Sequence, residues 1–253
     1  IWLITLLPMP LLYFFSDLVY LVGYHLIRYR RNIVWNNLRN AFPEKSDKEI
    51  RTIARKFYRH LSDNMIESAV MVHMNEKNIK KRYRYYNLEY LHKQARKGRS
   101  VYAVLGHYGN WDWLAGLPLF TDHKVMAIYK PLRNSQYDRI VRGLREKFGV
   151  VTVPKNFSVK RMLQAHQNKE LILTLFLGDQ APPAMGSKYQ TRFLNQETSF
   201  FTGTEKIARK TGDPVIFLDV QKPKRGYYDV HIVPVSDEPK KTQANEITEK
   251  HIR

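Results

Sequence analysis

From Ser100 onward, short apolar runs alternate with amphipathic stretches, and this alternation restricts the chain to few folds. Val101-Tyr102-Ala103-Val104-Leu105 reads as a buried strand that stops at Gly106-His107-Tyr108-Gly109-Asn110. A helical stretch over Trp111 to Leu119 follows. Val125 to Tyr129, Val150 to Val153 and Leu171 to Leu177 read as further strands, separated by helical spacing over Ser135 to Phe148 and Ser158 to Asn168. Val215 to Gln221 and Tyr227 to Val235 form a hairpin across Lys224-Arg225-Gly226. Strands that alternate with helices predict an α/β fold, a mainly parallel twisted sheet flanked by helices on both faces, with an antiparallel element near the end.

The segment before Ser100 has another character. Residues Ile1 to Ile27 contain one acid, Asp17, one histidine and no Lys or Arg, and Arg28-Tyr29-Arg30-Arg31 follows at once. A continuous helix of that length spans roughly 40 Å, enough for a hydrocarbon core of about 30 Å. Pro8 and Pro10 break the first part, so a helix from about Leu11 to Ile27, tilted or lying in the interface, is the other arrangement. A buried core helix is the non-membrane alternative. The basic residues follow the apolar run instead of preceding it, which argues against a cleaved signal peptide and predicts a cytoplasmic remainder at an inner membrane. Helical spacing recurs over Asn32 to Leu38 and Asp47 to Met71, with Ser46 or Asp47 as cap and Glu49 in the first turn.

The organisation predicted is a membrane helix at 1–27, a basic helical collar at 28–99 and a catalytic α/β core at 100–253. The chain opens at Ile1 without Met and ends at Arg253 inside a helical-looking stretch, so trimming at both ends is expected. Its net charge is +19, from 42 Lys and Arg against 23 Asp and Glu, which acts mainly on partners: nucleic acid, anionic lipid or an acidic protein. Arg28 to Arg59 holds ten basic residues and three acids, and Lys77 to Arg99 nine against Glu89 alone. No nucleic-acid module accompanies this charge, so nucleic acid is not expected as a partner. With no cysteine in the chain, a Cys nucleophile, disulfides and thiolate zinc sites are excluded.

In an open α/β sheet, ligands gather at the carboxyl ends of the strands. Two polar clusters fall there, His107 to Asp112 and Gly178-Asp179-Gln180. His107 and Asp112 have the spacing H-x4-D. A neutral imidazole takes a proton from a hydroxyl, and a carboxylate on its other nitrogen holds the tautomer and stabilises the imidazolium. Spacing alone is weak: nine histidines, each with roughly a one-in-ten chance of an acid five places on, give about one match by accident. A histidine that only caps the next helix is the structural alternative. Thr202-Gly203-Thr204-Glu205 has capping-box spacing, and its helix N-terminus also suits a phosphate or oxyanion. Trp111 to Trp113 and Ser199-Phe200-Phe201 supply aromatic bulk for an apolar channel or for plain core.

Gly106-His107-Tyr108-Gly109-Asn110-Trp111-Asp112 resembles the first block of the bacterial lipid A late acyltransferases (lauroyl and myristoyl transferases), within the glycerolipid and lysophospholipid acyltransferase superfamily. The resemblance continues in order. Tyr129-Lys130-Pro131-Leu132-Arg133-Asn134 is similar to the second block, with Lys130 where Arg is common; Arg142 and Arg145 stand before Phe148-Gly149. Asp179-Gln180-Ala181-Pro182-Pro183 and Phe201-Thr202-Gly203-Thr204 match the later blocks. The family's Trp- and Arg-rich C-terminal end has no counterpart here.

This resemblance implies a membrane-bound O-acyltransferase without cofactor or metal. Its co-substrate is an acyl thioester, usually on acyl carrier protein and exceptionally on coenzyme A, and its acceptor is a phosphorylated lipid, a lipid A precursor. It implies His107 as general base, oriented by Asp112, which replaces the Glu common in the family. Asn110 then fixes the turn or donates to substrate, and Arg145 and Arg142 hold phosphate. Asp179, with Gln180, orients such an arginine, closes the site, or is a turn residue. A lysophospholipid or glycerol-phosphate acyltransferase uses the same base; a membrane scaffold without catalysis is the alternative from another class.

Overall fold

The computed structural model describes residues 4–180, 182 and 189–252, so Ala181 and Pro183 of the block that begins at Asp179 lie outside the described residues. The chain divides into two compact units, residues 1–74 with 190–198, and residues 75–189 with 199–253.

In the first unit, α1 (Met9–Leu21) starts where the prolines allow: Pro8 is the cap and Pro10 lies in the first turn, where a missing N–H costs nothing. A π turn, Val22–Leu26, extends it, and the chain bends at Arg28 and Arg30, both with positive φ, into α2 (Arg31–Ala41). The long α3 (Asp47–Val70) opens with the expected capping box between Ser46 and Glu49. Ile50, Ala54 and Tyr58 bury one stripe of it. Two buried polar contacts tie α1 to α3: Ser16 donates to Asp63 at 2.8 Å and Tyr13 to Glu67 at 2.8 Å. Among the described residues no single helix is long and apolar enough to cross a membrane; Met9–Leu26 and Arg31–Ala41 qualify only as a pair bent by 89°. The straight helix of roughly 40 Å that an unbroken run would form is not what the chain adopts.

The second unit carries the sheet. Its elements begin with α4 (Glu76–Arg82), β1 (Tyr83–Tyr86), α5 (Leu88–Arg96) and β2 (Val101–Leu105). A 3-10 helix, Trp111–Phe120, precedes β3 (Lys124–Tyr129), α6 (Ser135–Glu146), β4 (Val151–Pro154), α7 (Lys155–Gln167) and β5 (Ile172–Leu177). β6 (Gln190–Phe193) and β7 (Gln196–Ser199), which belong to the first unit save for Ser199, make a separate two-stranded sheet. Then come α8 (Gly203–Thr211), β8 (Val215–Lys224), β9 (Tyr227–Ser236) and α9 (Glu246–Ile252).

Seven strands lie in the order β1-β9-β8-β2-β5-β3-β4, every pair parallel except β8 with β9. β2 is buried along all five residues, as a central parallel strand covered on both faces must be. The unexpected member is β1, inside the stretch that composition marks as a basic helical collar. Tyr83 pairs with Tyr228 across to β9, its ring packs against Trp113 and Tyr228, and Arg84 forms a bidentate ion pair with Asp229. The aromatic positions of Tyr83-Arg84-Tyr85-Tyr86 decide the strand, and the basic one stays exposed.

Candidate active site

The register of β2 and β5 builds the site. Val101 pairs with Leu173 and Leu105 with Leu177, so the residues just past these strand ends, Gly106-His107 and Gly178-Asp179, leave the sheet side by side. The Gly178 N–H donates to the Leu105 carbonyl at 2.9 Å and carries the pairing one step further. His107 then meets Asp179 twice. Its backbone N–H donates to Oδ2 at 2.7 Å, and its Nδ1 lies 2.6 Å from Oδ1. Gly106 lies beside this clasp, where an added Cβ would meet Asp179 Oδ2 at an ordinary contact distance of 3.4 Å.

Burial pushes the Asp179 carboxyl up, but the hydrogen bonds from the His107 ring and backbone outweigh it, so the group ionises below its ordinary value. An ionised carboxylate on Nδ1 fixes the proton on that nitrogen and leaves Nε2 as an acceptor. Among the described residues Nε2 has no hydrogen-bond partner.

Asp112 is not the carboxylate on the imidazole. It sits in the first turn of the 3-10 helix, where its Oδ1 is 3.4 Å from Nε of Arg145 on α6. The four-residue turn between the two motif residues places the Trp111 ring edge-on to His107, centroids 5.0 Å apart, and sends the next side chain toward α6. Asp179, expected to orient an arginine, close the site or shape a turn, holds the histidine, and among the described residues no hydrogen bond or ion pair joins it to an arginine.

Beside the histidine lies an apolar pocket lined by Leu105, Trp111, Leu114, Ile128, Leu175 and Leu177, among others. Asp112 and Arg145 are the only charged side chains in its wall among the described residues. Trp111 therefore touches both the imidazole and the pocket. Trp113 is core: it is fully buried against Tyr83 and Tyr228. Phe200 is buried and Phe201 is exposed.

Arg142 and Arg145 both ride on α6, which Asn134 caps by accepting from the N–H groups of Gln136 and Tyr137, each at 3.0 Å. The Asn of the second block thus anchors the helix that carries both arginines. Hydrogen bonding to Tyr129, and the nearby Glu146, raise Arg142 above its ordinary value. Asn110 is buried in the turn before the 3-10 helix, and Gln180 is exposed beside Asp179.

The capping box expected at Thr202 does not form. Thr202 precedes α8 without a side-chain cap bond, and Glu205 points elsewhere. Its buried carboxylate accepts from the Asn245 N–H at 2.5 Å, the Thr248 N–H at 3.0 Å and Thr248 Oγ1 at 2.7 Å, so it serves as the anion at the N-terminus of α9. Three donors from another helix outcompete one local backbone N–H. Among the described residues no hydrogen bond or ion pair joins Thr202, Gly203 or Thr204 to His107, and no three His, Asp or Glu side chains group as metal ligands.

The family model for bacterial lipid A biosynthesis acyltransferase matches residues 1–252. A lipid A biosynthesis lauroyltransferase of Escherichia coli (strain K12) is 22% identical over 240 residues, which cover 94% of this chain and 77% of the relative. The chain belongs to the bacterial lipid A biosynthesis acyltransferase family and is an acyltransferase.

Proposed function

We propose that the protein transfers a fatty acyl chain from a thioester on acyl carrier protein to a hydroxyl of a phosphorylated lipid A precursor, with His107 as general base. The observation that carries this reading is the geometry at the strand ends: an imidazole whose Nδ1 is held by a carboxylate, whose Nε2 is open, and whose neighbour Trp111 lines an apolar pocket. Nε2 takes the acceptor's hydroxyl proton as the oxygen attacks the thioester carbonyl. The tetrahedral intermediate collapses, the C–S bond breaks, and the imidazolium returns its proton to the leaving thiolate. The pocket takes the acyl chain, and Arg145 and Arg142 meet phosphate on the acceptor, for which a planar guanidinium fork is suited.

Attachment to the cytoplasmic face of a membrane belongs to the same proposal. Leu11, Phe14, Leu18 and Leu21 recur at helical spacing on α1 and all are exposed, as are Leu26 and Ile27, directly before Arg28, Arg30 and Arg31. An apolar face followed by cations suits an anionic lipid interface.

The test uses detergent-solubilised protein with acyl-carrier-protein thioester and a lipid A precursor, and reads free carrier thiol. His107→Ala lowers turnover by about 10²-fold or more. An alanine variant as fast as the wild type, or a wild type that acylates only a lysophospholipid, would overturn the reading.

A further inference from the structure

Resting on that reading of His107 as base, we propose that Asp179 is its positioning carboxylate and that Asp112 serves the pocket wall through Arg145. The H-x4-D spacing suggests the reverse, and three observations decide against it.

The first is the double contact. One carboxylate accepts both the backbone N–H and Nδ1 of His107, at 2.7 and 2.6 Å, which fixes the ring's tautomer and the backbone that carries it. A group that holds only the ring leaves the turn free to move. The second is the platform. Asp179 and His107 each follow a central, mutually paired strand, and Gly178 allows the two to lie close: a Cβ on it would be 3.2 Å from Val104 Cγ1, on the strand that leads to His107. The third is the occupation of Asp112, whose Oδ1 is turned to Arg145 in the wall of the pocket. There it offsets the charge of an arginine beside an apolar chain site until an acceptor phosphate arrives.

The dyad is also electrostatically consistent. Burial pushes the Asp179 carboxyl up, but the hydrogen bonds from the His107 ring and backbone outweigh it, so the group ionises below its ordinary range. The anion is therefore present at neutral pH and favours the imidazolium that forms during proton transfer.

The experiment compares Asp179→Asn, Asp112→Asn and His107→Ala as full-length proteins in detergent, with kcat and KM measured from pH 5 to 9 on acyl-carrier-protein thioester. Removal of the anion at Nδ1 lowers the basicity of the ring. Asp179→Asn is therefore expected to move the acid limb of kcat/KM to lower pH and to cut kcat by roughly 10²-fold, with KM little changed. In Asp112→Asn the acid limb stays at its wild-type pH and the change falls mainly on KM. A limb that moves in Asp112→Asn overturns the assignment, even where Asp179→Asn fails to fold; so does a limb left in place by Asp179→Asn. His107→Ala at the wild-type rate would instead overturn the reading of the base, whichever carboxylate is altered.

Discussion

Replacing Gly109 by alanine separates two costs that the turn after His107 imposes on any side chain. Gly109 has φ +65°, a left-handed conformation that charges a residue with a Cβ roughly 1–2 kcal/mol. A Cβ there would also lie 3.0 Å from Tyr228 Cε1 and 3.0 Å from Val220 Cγ1. Tyr228 is fully buried between Tyr83 and Trp113 and has nowhere to go, so crowding adds about 1–3 kcal/mol. Gly98 supplies the control. It has φ +63° with nothing within 4 Å of an added Cβ, so Gly98→Ala carries the backbone cost alone. Alanine restricts the unfolded chain equally at both sites, and that contribution cancels. At roughly 2–4 °C per kcal/mol, Gly98→Ala lowers Tm by about 2–8 °C and Gly109→Ala by a further 2–12 °C. Thermal melts followed by circular dichroism in detergent read both. Because the aromatic cluster does not yield, the strain falls on the turn, and Gly109→Ala loses turnover where Gly98→Ala keeps it. Equal melting temperatures for the two variants would refute the crowding argument.

Two more outcomes follow from the geometry. Glu205→Ala leaves the buried N–H and hydroxyl of Thr248 and the N–H of Asn245 without their acceptor, and is expected to cost about 3–5 kcal/mol, read as a lower midpoint in urea unfolding. Thr202→Ala, which removes no cap bond, stays near wild type in the same titration. Phe14 and Leu18 are 64% and 50% exposed on α1, so the double change to serine removes apolar area offered to lipid and should weaken co-sedimentation with anionic vesicles several-fold without lowering Tm. Undiminished sedimentation would remove α1 from the membrane interface.

Much of the fold was legible because the period of the apolar residues changes with the element. Val101 to Leu105 is a strand with the expected bounds, and the remaining predicted strands and helices of the core differ by a few end residues. β1 was not legible. Four residues that follow the basic run Lys80-Lys81-Arg82 show no period of their own, and what makes Tyr83–Tyr86 a strand is Tyr228 and Trp113, far along the chain. Glu205 shows the same limit in a cap: Thr202-Gly203-Thr204-Glu205 is a valid local pattern, but the carboxylate satisfies two backbone N–H groups and a hydroxyl of α9 and its approach.

The site divides along the same line. His107, its glycine turn and its place at a strand end are local properties, and the sequence carries them. Which carboxylate holds the ring is a property of register. H-x4-D invites a pairing within one turn, whereas adjacent parallel strands bring together any two residues equally far past their paired ends, here 72 positions apart. Once β2 and β5 are recognised as sheet neighbours, Leu105 opposite Leu177 places His107 opposite Asp179 with no further assumption. The sequence contains both clusters and both strands but not the strand order, β8-β2-β5-β3, that makes them adjacent. Asp112 is engaged elsewhere, with Arg145. One turn beyond the histidine it reaches α6 and Arg145, so that in the proposed mechanism the motif's two ends serve different parts of the site: the base at Nε2 and the charged wall of the apolar pocket.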